Sequence, residues 1–575
     1  MWNILYNGLL HLQTGKPLNA MIQGYADDTV IVLSHANQGV LQDHMNEILT
    51  QVHEWSKRVN LIINYGKCNC ILFPRGNPLC KPPAVNISNS RIKYSTTIKY
   101  LGLLLDHKLL WKDHIQEAYN KAHAVSHALA TIAKNKWGLK YKARRATYQA
   151  VTQQIVAYGC EVWGHRINTY HTRRKLLSLQ RLAALYTARA YRTAPTDGLL
   201  VLSNLTPIDL YITERYVLHM IKRLGRNNIT QEQFWNRTKN LVEGDTIPNI
   251  IKLISDRGMD ITDASIYHPA FNPRYSITMD NNIPNNSDYN IYTDGSHSAD
   301  GTGGAFVVLD RKERTTYQQY FKLESYCTIN QAESLALLKA LQHINNKNHI
   351  YNYDHKSIAI HTDSRVILHQ VHNRNSKLPI IKNILHELDT TSCPSLVLRW
   401  VRGHSGVKGN VQADLLAKKA ITNLNNCAYN RIPQCWVSRQ LHSYIIDQWE
   451  YKWTSSTTGR TVFQFIPSVK KRLHYHHLVP TYELTQLITG HGNMGSYLVR
   501  FLNKGNGLCS CSSMTWEDSN HILYDCPNYD RERRTLIAAA CEETIPWPCK
   551  PDNLISNKNL YSALDKYVKD IKIFS

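Results

Sequence analysis

The sequence contains no apolar run long enough to span a bilayer, and its first residues do not have the character of a signal peptide. It also lacks internal repeats and long low-complexity tracts. Acidic residues are scarce, because 44 Asp and Glu stand against 67 Lys and Arg, giving a formal net charge of +23. This excess of positive charge favours a polyanionic partner, most simply nucleic acid, over a membrane surface.

The cysteines do not predict a disulfide framework, because they are scattered and odd in number. There are 13 of them in 575 residues, with a cluster near the C-terminal end. This usage indicates reduced thiols, and one candidate metal site, in an intracellular protein. A hydrophobic content of 43% predicts globular folding, and the length predicts three or four domains.

Four carboxylates in the second half of the chain lie where elements of an α/β fold place their chemistry. Asp294 and Asp363 end β-rich segments, Glu333 lies in the first turn of a predicted helix, and Asp414 opens another. His404 precedes the last acid by ten residues. Clustered acids repel one another unless cations neutralise them, so the pattern predicts two-metal hydrolysis of a phosphodiester.

The segments around these residues resemble type 1 ribonuclease H in their order and spacing. They read Tyr-Thr-Asp-Gly-Ser, Gln-Ala-Glu, His-Thr-Asp-Ser-Arg and Trp-Val-Arg-Gly-His-Ser-Gly, within residues 287–422. The resemblance implies that Asp294, Glu333, Asp363 and Asp414 hold two Mg²⁺ ions, and that His404 assists proton transfer or product release. Any one acid alone would be better explained as a helix cap or a surface charge. Five positions in order favour the nuclease.

The nuclease segment is expected to form a five-stranded mixed sheet with flanking helices, like the family it resembles. Period-two and helical patterns predict the following elements: strands at 289–294, 302–309, 315–322, 357–361 and 395–401, and a helix at about 330–345.

A second pair of acids, Asp27 and Asp28, lies between two β-rich arms and therefore at the tip of a predicted hairpin. The sequence Tyr-Ala-Asp-Asp resembles the catalytic hairpin of reverse transcriptases, where such acids face a metal pair. An exposed Asp-rich turn is the alternative. Only 26 residues precede Asp27. We therefore expect a partial palm without fingers, without its first metal-binding acid and without an endonuclease, and no polymerase activity in this chain alone.

Residues 111–260 are predicted to form a helical thumb or connection. The sequences Gly-Cys-Glu-Val-Trp and Ala-Tyr-Arg-Thr-Ala-Pro-Thr in this region resemble non-LTR retrotransposons of the jockey-like arthropod group. Leucines and arginines between Arg173 and Arg192 predict an amphipathic helix whose basic face either tracks a nucleic-acid backbone or is simply solvated. Residues 261–286 are rich in Asn, Asp, Ser and Pro, which predicts a linker.

The C-terminal segment carries a candidate zinc knuckle at residues 509–526. Cys509, Cys511, His521 and Cys526 offer three thiolates and one imidazole, the donor set of a closed structural Zn²⁺ site. Buried free cysteines are the alternative, and either of the two later cysteines, Cys541 or Cys549, could replace one ligand. Because the tail looks poor in apolar residues, zinc is expected to hold it together.

The sequence thus predicts a multidomain α+β and α/β protein. Its parts are a partial palm (1–110), a thumb (111–260), a linker (261–286), a nuclease (287–422) and a tail (423–575). The predicted function is Mg²⁺-dependent cleavage of RNA in RNA–DNA hybrids within a retrotransposon polyprotein, with the hybrid, element RNA and target DNA as partners and a nuclear location. The alternatives are a catalytically silent nucleic-acid-binding remnant and an RNA-directed DNA polymerase completed by another chain.

Overall fold

The computed structural model describes most of the chain, and the chain divides into two compact units. The described residues are 2–12, 20–74, 82–132, 138–263, 273, 275–280, 287–346, 353, 356–393, 395–403, 405–511 and 514–574. One unit comprises Met1–Thr131 and Thr147–Gly159, and the other comprises Ile132–Ala146 and Cys160–Ser575. None of the helices in the described ranges combines the length and apolar character that crossing a membrane requires.

The first unit contains short strands and two long helices. Its elements to residue 106 are α1 (Trp2–Leu10), β1 (Ala20–Tyr25), β2 (Asp28–Leu33), α2 (Gln38–Arg58), β3 (Asn69–Cys70), β4 (Asn86–Ile87), β5 (Ser90–Arg91), β6 (Lys93–Tyr94), β7 (Thr97–Tyr100) and β8 (Leu103–Asp106). Strands β1 and β2 pair antiparallel, with Tyr25 opposite Asp28. The hairpin predicted around Asp27 is therefore present.

All secondary structure described between Lys112 and Arg257 is helical, as the sequence predicted. The α-helices are α3 (Lys112–Ile132), α4 (Tyr141–Thr147), α5 (Gln153–Ala157), α6 (Cys160–Trp163), α7 (Tyr170–Ala188), α8 (Thr196–Ser203), α9 (Ile208–Gly225), α10 (Gln231–Thr238) and α11 (Thr246–Arg257). Helices α3 and α5 belong to the first unit, and α6 to α11 belong to the second.

A mixed sheet of seven strands organises the middle of the second unit. The strands are β9 (Tyr275–Thr278), β10 (Tyr289–Ser298), β11 (Gly301–Asp310), β12 (Thr315–Leu323), β13 (Ser357–Thr362), β14 (Ser395–Trp400) and β15 (Cys427–Tyr429). Their spatial order is β15-β12-β11-β10-β13-β14-β9. The β10–β11–β12 pairs are antiparallel, and the other neighbouring pairs are parallel.

The prediction of five strands was wrong by two edge strands. Strand β9 lies inside the segment predicted to be a linker, and β15 lies inside the predicted tail. Both are only three or four residues long. Strands of that length are too short to show a period-two pattern, and the polar residues that flank them predict a loop.

Helices cover both faces of this sheet. They are α12 (Ile329–Asn345), α13 (Arg365–Asn373), α14 (Pro379–Thr390) and α15 (Lys408–Asn423). Alternate residues of β11 face opposite ways, because side chains on a strand alternate. Phe306 and Val308 pack into the core that includes α12, whereas Val307 and Leu309 pack against Ala413 of α15.

The chain after the sheet folds into helices with a substantial apolar core. These helices are α16 (Gln434–Ser455), α17 (Arg460–Phe465), α18 (Val469–His474), α19 (Tyr482–Thr489), α20 (Gly495–Leu502), α21 (Asp530–Glu542), α22 (Pro551–Ser556) and α23 (Lys558–Asp570). Leu560, Leu564, Tyr567 and Val568 of α23 are all buried. The expectation of an apolar-poor tail was wrong, because this i, i+4, i+7, i+8 pattern is a helical core face.

The tail also packs on the helices that precede the seven-stranded sheet. The fully buried Arg472 donates a hydrogen bond from Nη2 to the carbonyl of Leu202 at 2.9 Å and to the Tyr141 hydroxyl at 3.1 Å. Thr485 donates its hydroxyl hydrogen to the carbonyl of Ala188 at 2.7 Å. These hydrogen bonds hold the tail without any metal, contrary to the expectation that zinc would hold it together.

Candidate nuclease site

Three of the four predicted carboxylates converge at the centre of the sheet. Asp294, Glu333 and Asp363 each offer one oxygen, and these oxygens all lie within 4.8 Å of one another. Asp294 is on β10, and Asp363 directly follows the parallel neighbour β13, so the two carboxylates lie side by side. Helix α12, which lies against β10, brings in Glu333 from its second turn.

Asp294 does not end its strand, contrary to the sequence prediction. Strand β10 continues to Ser298, which pairs with Gly301. Gly295 serves close packing instead of a turn, since a Cβ there would lie 2.7 Å from the Glu333 backbone nitrogen. The missing side chain allows α12 to approach the strand and brings Glu333 to Asp294.

Asp414 lies beside the three acids but does not join them. Helix α15 begins at Lys408, so Asp414 is in its second turn and does not open the helix as predicted. Its carboxylate pairs with Lys418 at 2.8 Å. Its charge nevertheless contributes to the raised pKa of Asp294, which places it near the cluster.

His404 lies outside the described residues. The residue before it, Gly403, is in close contact with the site, because a Cβ there would lie 2.8 Å from Oδ2 of Asp363. The loop that leads to His404 therefore passes directly beside the carboxylates.

Asp294 and Glu333 are buried, Asp363 is half-buried, and their carboxylates repel one another. Burial, reinforced by the charges of Asp363 and Asp414, raises the pKa of Asp294 to about 7. Burial and the neighbouring Asp294 and Asp363 raise the pKa of Glu333 well above its ordinary value. Among the described residues, Oε2 of Glu333 is buried without a hydrogen-bond partner. A set of hard oxygen donors in this state fits Mg²⁺, which prefers carboxylates.

One contact beside the site was not foreseen from the sequence. The indole nitrogen of Trp400 donates a hydrogen bond to the backbone carbonyl of Asp363 at 3.1 Å. The guanidinium carbon of the exposed Arg365 lies 3.7 Å from the centre of the Trp400 ring. Because Trp400 is distant from Arg365 in sequence, no local pattern could reveal this stacked cation beside the acids.

Asp27 and Asp28 lie at the predicted hairpin tip, but they are not part of a metal-binding cluster within the described residues. Asp27 and Asp28 are both exposed, and Ala26 adopts a left-handed conformation with φ 53° in the turn. Within the part of the chain that the structure describes, no third acid or histidine joins them at metal-binding distance.

The four candidate zinc ligands come together as the sequence predicted. The Sγ atoms of Cys509 and Cys526 are 3.6 Å apart, and Sγ of Cys511 is 3.5 Å from Nε2 of His521. Nδ1 of His521 lies 2.9 Å from the Thr515 hydroxyl, the type of outer contact that orients a ligating imidazole. Burial raises the pKa of Cys509 to about 12, so a thiolate there needs a cation. Neither of the alternative cysteines, Cys541 and Cys549, belongs to the cluster.

Part of the predicted basic face on α7 is used within the protein. Arg173 forms an ion pair with Asp209 at 3.0 Å, and Nη1 of Arg181 donates to the Thr196 hydroxyl at 2.7 Å. Arg174 remains exposed on the same helix. The arginines therefore fix neighbouring helices as well as presenting positive charge to solvent.

Two family models match the chain. Residues 1–105 match the reverse transcriptase (RNA-dependent DNA polymerase) family, and residues 286–422 match the RNase H family. Among solved structures, RNase H1 from the halophilic archaeon Halobacterium salinarum NRC-1 is 19% identical, with a TM-score of 0.20, over 24% of this chain and 98% of that chain.

Curated relatives are retrotransposon proteins. The Pol polyprotein of type-1 retrotransposable element R1 from Bradysia coprophila is 26% identical over 39% of this chain and 22% of that protein. The corresponding R1 protein from Nasonia vitripennis is 28% identical over 36% of this chain and 63% of that protein. The RNA-directed DNA polymerase from mobile element jockey of Drosophila melanogaster is 27% identical over 30% of this chain and 19% of that protein.

The chain thus spans between about a fifth and somewhat less than two thirds of the length of these relatives. The matches confirm the resemblance to arthropod non-LTR retrotransposon polyproteins, with reverse-transcriptase and ribonuclease H segments in the order that the motifs indicated.

Proposed function

We propose that this chain hydrolyses the RNA strand of RNA–DNA hybrids with its ribonuclease H domain, as part of a retrotransposon polyprotein. The observation that carries the proposal is the convergence of Asp294, Glu333 and Asp363 within 4.8 Å, inside the segment that matches the RNase H family. Two of these acids, Asp294 and Glu333, are buried beside a third, and burying charge without compensation is unfavourable, so a cation is expected to balance them.

The carboxylates of Asp294, Glu333, Asp363 and Asp414 would hold two Mg²⁺ ions. When bound, such ions activate water for attack and stabilise the charge that develops on the phosphate. The protein itself fixes the donor geometry: β10 and β13 hold Asp294 and Asp363 side by side, and α12 holds Glu333 over them. His404, the residue after Gly403, would assist proton transfer or product release.

Substrate binding would use the positive charge beside the site. The exposed Arg365 stacks on Trp400, whose indole nitrogen is hydrogen-bonded to the Asp363 carbonyl, and stacked arginines suit phosphate recognition. The RNA strand would be distinguished from DNA by its 2′-hydroxyls. Element RNA and target DNA are further proposed partners, in keeping with the net charge of +23.

A panel of end-labelled duplexes tests this function. With Mg²⁺, the full chain should cut the RNA strand of an RNA–DNA hybrid and leave double-stranded DNA, double-stranded RNA and single-stranded RNA intact. Equal cleavage of single-stranded RNA and of the hybrid would contradict the proposal.

The Mg²⁺ requirement should depend on pH. Since the pKa of Asp294 is raised to about 7, protons compete with the cation below that pH. For one displaced proton with a pKa of about 7, the half-saturating Mg²⁺ concentration should rise about fivefold as pH falls from 7 to 6. Initial rates of hybrid cleavage in Mg²⁺ titrations from pH 6 to 8.5 measure this, and saturating Mg²⁺ should restore the rate at pH 6. A half-saturating concentration that stays constant from pH 6 to 7 would contradict the assignment.

We also propose that this chain alone does not polymerise DNA. Asp27 and Asp28 are exposed and lack a third carboxylate partner within the described residues, so they cannot assemble a metal pair by themselves. Primer extension on an RNA template with Mg²⁺ and nucleotides should be undetectable. Extension that Asp27→Ala removes, and that the exposed-surface variant Asp43→Ala retains, would overturn this.

The cluster of Cys509, Cys511, His521 and Cys526 is proposed to bind one structural Zn²⁺. Four protein donors close the coordination shell and leave no position for substrate, so no chemistry is expected there.

A further inference from the structure

The chain segments that enter and leave the nuclease pair with each other at the start of α12. Met259 and Ile432 form a parallel β-bridge, and both side chains are buried. The amide of Asp260 donates to the Ile432 carbonyl at 2.8 Å, and the amide of Ile432 donates to the Gly258 carbonyl at 3.0 Å. Both segments lie outside residues 286–422, the part of the chain that matches the RNase H family.

Asp260 is a buried acid at this crossing. Its exposed fraction is 2%, and burial raises its pKa, while hydrogen bonding from Gln331 opposes that rise. Its carboxylate also faces the half-buried Tyr429 of β15, whose pKa it helps to raise. Burying a carboxylate costs free energy of folding unless hydrogen bonds compensate it. The groups that bond to Asp260 therefore indicate its role.

The main partner of Asp260 is the capping residue of the helix that carries Glu333. Nε2 of Gln331 donates to Oδ2 of Asp260 at 2.9 Å and to the Arg431 carbonyl at 3.2 Å. The other end of the same amide, Oε1, accepts a hydrogen bond from the Thr328 backbone nitrogen at 2.9 Å, in a capping box. In a capping box, the side-chain oxygen of the glutamine accepts a hydrogen bond from the backbone of the N-cap residue. In Gln331 the side-chain NH₂ group also donates, and its acceptor is Asp260.

We propose that Asp260 is a positioning residue of the nuclease. Through Gln331 it fixes the first turn of α12, and thereby the Glu333 carboxylate two residues further on. The entering and leaving segments thus set the geometry of a metal site to which they contribute no ligand. Groups bonded directly to metal ligands typically contribute about 10- to 100-fold to metal affinity, and Asp260 acts one residue further away, so an effect at the lower end is expected.

The test compares Asp260→Ala with Asp260→Asn in the full chain. The alanine removes the acceptor for Gln331, whereas the asparagine keeps an oxygen of similar size in the same place. We expect the half-saturating Mg²⁺ concentration for hybrid cleavage to rise about tenfold in Asp260→Ala and to stay near the parent value in Asp260→Asn. The KM for the hybrid should not change, because Asp260 is buried and does not face substrate.

Two measurements do not depend on cleavage. Calorimetric titration with Mg²⁺ should show the same loss of affinity in Asp260→Ala, and hydrogen exchange of the metal-free protein should be faster for the amides of residues 332–336. A role confined to overall folding would lower the folded fraction without shifting the Mg²⁺ affinity of the folded molecules.

Gln331→Met tests whether Asp260 acts through Gln331. It keeps the side-chain length but removes the amide, so it should raise the Mg²⁺ requirement, and adding Asp260→Ala should cause little further loss. Gln342→Glu, at the far end of the same helix, is the matched control and should behave like the parent. Should Asp260→Ala fail to fold, Gln331→Met carries the same prediction.

Several outcomes would overturn this inference: an unchanged Mg²⁺ affinity in folded Asp260→Ala or Gln331→Met, an Asp260→Asn variant as impaired as the alanine, or fully additive losses in the double variant. The inference rests on the proposed nuclease function. Absence of hybrid cleavage by the unmodified chain would overturn that function, whereas calorimetry and hydrogen exchange judge the positioning role separately.

Discussion

Replacing Glu333 with Gln should abolish hybrid cleavage and, without Mg²⁺, make the protein more stable at neutral pH. The first effect follows from the loss of a metal ligand at the centre of the cluster. The second follows from the raised pKa of Glu333: its ionised form is disfavoured in the folded protein by burial and by Asp294 and Asp363. A neutral amide of the same size removes that unfavourable charge.

The sign of the pH dependence is fixed by this shift. An acid whose pKa is raised on folding destabilises the fold as pH rises above its unfolded pKa, because the unfolded chain then loses the proton more readily. The advantage of Glu333→Gln should therefore be clear at pH 8 and near zero at pH 4.

Chemical unfolding at the two pH values, in buffer with Zn²⁺ but without Mg²⁺, measures the difference. Glu313→Gln, an exposed change in the same domain, is the matched control and should alter neither stability nor cleavage appreciably. A Glu333→Gln protein less stable than its parent at pH 8 would contradict the described electrostatics.

The double variant Cys509→Ser/Cys526→Ser should lose its zinc and open only part of the candidate site. Structural zinc contributes folding free energy outright, with apparent values of about 10–16 kcal/mol in isolated zinc-finger peptides. The two halves of the candidate zinc site differ in the hydrogen bonds that hold them without metal. The half carrying His521 and Cys526 is held by Arg533, which donates to the carbonyls of Leu523 at 2.9 Å and Cys526 at 2.7 Å.

The other half depends more on the metal. Around Cys509 and Cys511, three backbone amides donate hydrogen bonds. They run from Cys509 to the Thr515 carbonyl at 2.8 Å, from Met514 to the Cys511 carbonyl at 3.1 Å and from Glu517 to the Gly507 carbonyl at 2.9 Å. Hydrogen exchange should therefore accelerate between residues 507 and 517, while α21 and α23 stay protected by their buried core.

Metal analysis and residue-resolved hydrogen exchange decide the zinc assignment. The parent should contain about one zinc per chain, from four donors in one closed shell. The matched control Cys435→Ser/Cys541→Ser changes two exposed cysteines outside the cluster and should retain the metal. Full zinc retention in Cys509→Ser/Cys526→Ser would refute the assignment, and loss of protection throughout α23 would restore the view that zinc holds the whole tail.

The long elements of the nuclease could be predicted from sequence because their periodicity is strong. The strand predicted at 302–309 is Gly301–Asp310, and the helix predicted at about 330–345 is Ile329–Asn345. The motif order also identified the three converging acids, which lie within β10, in the second turn of α12 and directly after β13.

The errors have physical causes that involve partners distant in sequence. Gly295 looked like a turn residue, but its missing side chain makes room for α12. The edge strand β9 is stabilised by pairing with β14, a partner that its own four residues do not reveal. Likewise, nothing near Gln331 in sequence indicates Asp260, because the contact spans 71 positions.

The most direct test of the nuclease assignment is cleavage of an RNA–DNA hybrid by the full chain and by Asp363→Asn. The parent should release RNA fragments in the presence of Mg²⁺, and Asp363→Asn should lower the rate to background while keeping the unfolding transition of the parent. Asp300→Asn changes an exposed acid in the β10–β11 turn and should cleave like the parent. Equal cleavage by Asp363→Asn and the parent, or no cleavage by a folded parent, would contradict the account.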